Sequence, residues 1–200
     1  MVFGFIFCIN FGKDIQKLVQ PWVHSSMTKF LLILLFISSL SAEEMIIGKE
    51  IIKPGIDVTF EAAPKDTIHP KGMYLKENVT DIHIEMLANW SYENPYDFPV
   101  GGFVAYLNVH ALIESSQGES LEIELTPHIN LVDSLHYAQN IKLPGKIDDK
   151  YKITFTIKAD HNANLGIHED WHSKVGPYVS QNTFVYSDLT FKAIANTLRR

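Results

Sequence analysis

Residues 81–87 read DIHIEML, and this short run decides the architecture. Ile82, Ile84 and Met86 occupy alternate positions, with His83 and Glu85 between them. Successive side chains on an extended strand point to opposite faces, so the run places three apolar groups on one side and an imidazole and a carboxylate on the other. The same period of two recurs outward from it. GIDVTFEAA sets Ile56, Val58, Phe60 and Ala62 on one face, and SLEIEL sets Leu121, Ile123 and Leu125. YKITFTIKA does likewise with Tyr151, Ile153, Phe155 and Ile157, and TFVYSDLTFKA is a further candidate. FVAYLNVHALI reads as a strand with Phe103, Ala105, Leu107, Val109 and Ala111 facing inward. Repeated alternation, broken by Pro, Gly and Asn/Asp clusters, predicts an all-β, antiparallel β-sandwich. No long stripe at helical spacing competes with it beyond residue 45.

The chain has 200 residues and a formal net charge of −6. Binding phosphates needs a basic face, and no Lys/Arg-rich run is present, so no nucleic-acid partner is expected. Neither a Gly-x-Ser-x-Gly elbow nor a Gly-rich phosphate loop occurs. The single cysteine, Cys8, excludes disulfide frameworks and thiolate zinc sites within one chain. Any metal must therefore be held by His, Asp, Glu or Met.

Residues 27–42 read as a signal peptide. Lys29 precedes the apolar run Phe30–Ser39, and small residues lead to a cleavage point after Ala42. The run is shorter than the ~20 residues of a membrane-spanning helix. Residues 1–26 form a doubtful N-terminal extension, with translation expected from Met27, and residues 43–200 form the functional domain. Loss of Lys13, Lys17, Lys29 and Asp14 takes the formal charge from −6 to −8. The mature chain is then exported, acidic and free of thiols.

Nine histidines are many for this length, and eight follow the cleavage point. Imidazole is a common metal ligand because its neutral form is available near pH 7. His83-Ile84-Glu85 brings an imidazole and a carboxylate to one strand face, a half-site for a divalent ion that also arises on a plain solvated face. His128 and His136 lie in a segment read as leaving a strand for a loop. His168, Glu169, Asp170 and His172 crowd a loop between Gly166 and Gly176, which reads as an open metal site or a polar surface loop. His69 and Met73 are weaker candidates, His110 lies on a non-core face, and His161 reads as a turn residue.

Taken in order, DIHIEMLANW (81–90), NPYDFPVGGFVAYLNVHALIES (94–115), LTPHINLVDSLHYAQNIKLPGKIDDKYKITFTI (125–157) and GIHEDWHSKVG (166–176) resemble the periplasmic iron-transport protein family. The resemblance spans about residues 46–192. It implies an immunoglobulin-like antiparallel β-sandwich and a homodimer, exported to the periplasm beside an inner-membrane iron permease. It also implies a copper site that uses His83, Glu85 and His136, and an adjoining iron site that uses His168. The family's ligand methionine is expected after Pro127, where this chain has His128. Thioether favours Cu(I), whereas imidazole suits Cu(II), Zn(II), Ni(II) and Fe. If His128 takes the methionine's place, the site shifts towards oxidised copper or zinc. A copper-dependent oxidase or dismutase-like sandwich, and an adhesion sandwich with decorative histidines, are the competing readings.

Overall fold

The computed structural model describes residues 44–160, 162 and 164–197. The expected N-terminal extension and signal peptide, and His161, lie outside the described residues. Eight strands follow in order: β1 (Met45–Ile52), β2 (Ile56–Ala63), β3 (Ile82–Trp90), β4 (Leu107–Ser115), β5 (Ser120–Ile129), β6 (Leu135–Ile141), β7 (Tyr151–Ala159) and β8 (Asn182–Leu189). Two short helices join them, α1 (Glu169–Lys174) between β7 and β8 and α2 (Lys192–Ala195) after β8. No helix among the described residues is long and apolar enough to cross a membrane.

All pairings are antiparallel, and the strands lie in the order β1-β2-β3-β6-β5-β4-β7-β8. The all-β antiparallel expectation holds, as one eight-stranded sheet curled nearly into a barrel. Its two outer strands meet where the Tyr186 hydroxyl of β8 donates to Glu50 Oε1 of β1 at 2.9 Å. Gly48 on β1 permits this approach, because a Cβ there would overlap the Tyr186 ring. β5 serves both halves of the sheet. Its residues 120–125 pair with β4, and its residues 126–129 pair with β6.

The inner faces meet in a core that follows the alternation. Ile56, Val58, Phe60 and Ala62 of β2 pack with Ile82, Ile84, Met86 and Ala88 of β3, and with Val109, Ala111, Ile153, Phe155 and Ile157 from β4 and β7. Phe60 and Phe155 stack across it with centroids 4.1 Å apart. Tyr137 of β6 reaches into the core, where its hydroxyl donates to Val104 O and accepts from Leu107 N. Both polar ends of that buried contact are thereby satisfied.

Three local expectations change. The FVAYLNVHALI strand begins only at Leu107, since Tyr106 adopts φ +61° and breaks the alternation. Val104 is buried in consequence, while Phe103 and Ala105 are only half-buried. His128 and His136 sit on paired strands rather than in a loop, and they face one another directly. In GIHEDWHSKVG, residues 169–174 are the helix α1 instead of an open loop.

Candidate metal centre

β3 is buried on both faces. Opposite the core, His83 is 2% exposed and Glu85 is fully buried. Register explains how they find partners. Glu85 lies opposite Ala138 of β6, and Ala138 lies opposite Thr126 of β5. Along β6, the residues on the same face as Ala138 are His136 and Asn140, and His136 lies opposite His128. Directly opposed residues share a face, so Ala138 puts only a methyl group beneath a ring of longer polar side chains.

Within that ring His83, His128 and His136 each present a nitrogen, and the three nitrogens lie within 4.8 Å of one another. All three residues are buried. The His83 and His128 rings are nearly parallel, with centroids 5.4 Å apart, and His136 stands edge-on to both. Burial, and secondarily the charge of His136, pushes His128 down to about 4. Its imidazole is therefore neutral, as a metal ligand must be, across the physiological range.

The hydrogen bonds fix which nitrogens face inward. The Asn140 amide group donates to Asp66 O at 2.8 Å and Leu75 O at 3.0 Å. Its Oδ1 must then be the atom facing His83 Nδ1 at 2.8 Å, so that ring nitrogen is the donor. His83 Nε2 is then the nitrogen turned towards Glu85 Oε1, 3.5 Å away, and the one a metal would take. His136 Nδ1 lies 3.1 Å from the Ser134 carbonyl, which can only accept, so this ring too is basic at Nε2. Ser134 has φ +60°, which aims that carbonyl from the tight β5–β6 turn. A partner that holds Nδ1–H and leaves Nε2 for an ion is the usual support of a metal-binding histidine.

A second group adjoins the first through Glu85. Carboxylate oxygens of Glu44, Glu85 and Asp133 also lie within 4.8 Å of one another. Glu61 of β2 is directly opposite Glu85. Burial, reinforced by Glu44 and Asp133, raises the Glu61 carboxyl to about 7. The sequence reading missed Glu44, Glu61 and Asp133, because they come from three separate segments and only the fold gathers them. It also passed over Asn140, although HYAQNI carries that residue in plain view.

The other sequence candidates lie apart. His168 is the exposed residue preceding α1 and lines a separate cavity of about 250 Å³ with Trp171 and Tyr178. His172 is exposed on α1. His69 lines the cavity above the three histidines but does not belong to the cluster. His110 sits half-buried on β4, opposite Glu124 and Thr156.

Comparison with known proteins bears on this arrangement. A family model described as Fe2+ transport protein matches residues 41–193. The chain belongs to that family. No curated protein sequence matches it. Among solved structures, a copper-bound variant of FetP from uropathogenic Escherichia coli strain F11 is 23% identical, with a TM-score of 0.61 over 72% of this chain and 95% of that one. A copper-bound variant of Campylobacter jejuni P19 is 24% identical, with a TM-score of 0.64 over 74% and 98%. Copper-reconstituted P19 from the same organism is also 24% identical, with a TM-score of 0.62 over 72% and 94%. At these identities the likeness establishes a shared fold for the Fe2+ transport family member described here.

Proposed function

We propose that this protein is a periplasmic metal-binding protein of iron uptake that carries copper, takes up iron beside it, and delivers iron to an inner-membrane permease. The observation that carries the reading is the joining of two donor sets at one pair of residues. His83, His128 and His136 supply nitrogens suited to copper, whereas Glu44, Glu85 and Asp133 supply oxygens suited to Fe(II). The His83–Glu85 contact belongs to both. When bound, copper would supply a fixed positive charge beside the carboxylates. The chain's own residues do the rest. Asn140 and Ser134 hold the imidazoles in the ligating tautomer, Ala138 keeps the floor clear, and Tyr74 packs edge-on against His128 with centroids 4.9 Å apart.

Like charges directly opposed across a sheet are destabilising, so Glu61 and Glu85 need a proton or a cation between them. This fits a site made to exchange a hard divalent ion. The fold comparisons add weight to copper, since the FetP and P19 structures hold it. FetP was expressed in the periplasm, in keeping with a signal peptide at residues 27–42 here.

Homodimer formation fits the surface around the centre. Ile129, Leu131 and Val132 are strongly exposed at the β5–β6 turn, next to His128 and His136. We read His168, which is not part of its own chain's histidine cluster, as a ligand supplied across such an interface. The immunoglobulin-like sandwich reading rests on β5, which changes partner from β4 to β6 along its length, so that the two halves of the sheet are read as two layers. Titration of the metal-free protein with Cu(II), and with Mn(II) in place of air-sensitive Fe(II), tests the assignment. One tight copper site is expected, lost in His83→Ala, His128→Ala and His136→Ala. Mn(II) binding should be lost in Asp133→Asn. Weak copper binding that falls slightly in every variant would refute the reading.

A further inference from the structure

On the other side of Tyr74 from the histidines lies a larger cavity of about 540 Å³. The connection between β2 and β3 forms it. Lys65, Lys71 and Lys76 line it together with the apolar Ile68, Tyr74 and Leu75. Thr67, Ile68 and Tyr74 line both this cavity and the one above the histidines, so a single layer of side chains separates them. The connection has a defined shape. Asn140 holds its backbone at Asp66 and Leu75, and the Thr67 hydroxyl donates to Glu77 Oε2 at 2.6 Å.

The charge here runs against the rest of the molecule. The protein is acidic overall, yet three lysines face one carboxylate, Glu77, around this cavity. Among the described residues no ion pair engages Lys65, Lys71 or Lys76, whereas Lys150, Lys152 and Lys192 are all paired. Three lysines against one carboxylate, around a cavity within the usual small-molecule range of about 300–1,000 Å³, favour an anion. The lysines come from three separate points of the connection, and a compact inorganic anion would leave most of the space unfilled. An anion with its charge spread over several carboxylates matches both features.

We propose that this cavity binds a small polycarboxylate of the citrate type, the form in which iron is brought to the neighbouring metal centre. Oxygen-rich polycarboxylates chelate iron and still present carboxylates to the lysines. The shared wall of Thr67, Ile68 and Tyr74 then puts the chelated ion next to His128 and His83. The carriage of iron rests on the function proposed above, but the anion site itself does not.

Calorimetric titration of the metal-free, full-length protein with citrate, tricarballylate and phosphate separates the possibilities. Saturable one-to-one citrate binding is expected, with tricarballylate similar and phosphate much weaker. Combined Lys65→Ala, Lys71→Ala and Lys76→Ala should weaken citrate roughly tenfold, as three partly exposed charge contacts would. The matching triple Arg variant should restore it, and Lys71→Glu alone should weaken it too. His83→Ala should abolish copper binding and leave citrate untouched, which separates failure of this site from failure of the metal assignment. Equal citrate binding in the wild type and the triple Ala variant, or phosphate binding as tightly as citrate, would overturn the proposal.

Discussion

The two faces of β3 are both buried along its first half and have little else in common. Inward, Ile82, Ile84, Met86 and Ala88 fill a core by shape, and removal of apolar area from water holds them there. Outward, His83 and Glu85 are just as inaccessible, but every polar atom must meet a partner or an ion. The inner interior is closed by strands. The outer one is closed by a long connection with little regular structure, held by the Asn140 side chain and by Tyr74 against His128. One face therefore stores stability, and the other holds chemistry at some expense of stability.

The largest effect should separate the faces outright. Ile84→Ala removes core volume and should cost about 3–4 kcal/mol by chemical denaturation, with copper affinity retained in the molecules that stay folded. His83→Ala strands the Asn140 acceptor and should cost only about 1–2 kcal/mol while losing the copper site. Should the two variants prove equally unstable, the outer face would be structural and the contrast would fail.

Next comes the carboxylate pair. The Glu61 carboxyl titrates near 7 in the fold against an ordinary value of 4.5. The folded state therefore holds a proton that the unfolded chain has released, and its stability falls as pH rises from about 4.5 to 7. Glu61→Gln removes this burden. In metal-free protein it should be stabilising by up to about 3 kcal/mol at pH 8 and by nothing below pH 4.5. Melting curves across pH should show the difference opening between those limits, and saturating Mn(II) should shrink it. A difference that is flat with pH would mean that Glu61 is not charged at the expense of the fold.

A smaller effect is expected at Asn140. Asn140→Ala releases both the His83 tautomer and the 64–80 connection, and should weaken copper about 10- to 100-fold. Its spectroscopic trace is a changed copper EPR spectrum together with faster amide exchange at residues 66–75. A merely structural asparagine would alter exchange and leave the spectrum of bound copper as it was.

How much of this was legible follows from the same contrast. Period-two alternation shows wherever one face is apolar and the other polar, which is why β2, β3 and β7 read directly from the sequence. β6 did not. His136, Tyr137 and Ala138 are all buried, so the strand shows no alternation to read. β1 escaped as well, since its burial is only partial along most of its length. In the site, His83 and Glu85 were visible because they share one strand, and a family resemblance supplied His136. Glu44, Glu61 and Asp133 come from three separate segments, and nothing short of strand register brings them together. His168 reads as a ligand from its crowded neighbours, and the structure places it before a short helix, outside the group formed by the three histidines.

The smallest expected effect is the sharpest control on this reasoning. His110 and His136 are both histidines on the non-core face of a central strand, and alternation alone cannot tell them apart. Their neighbours can. His136 lies opposite His128 and donates to Ser134 O from within a buried ring of ligands, whereas His110 is half-buried between Glu124 and Thr156 on the opposite half of the sheet. His110→Ala should change stability by no more than about 0.5 kcal/mol and leave the copper titration unaltered. A loss of copper affinity in that variant, at a residue that does not belong to the cluster, would mean that metal is held by scattered surface imidazoles, and the buried triad would lose its claim.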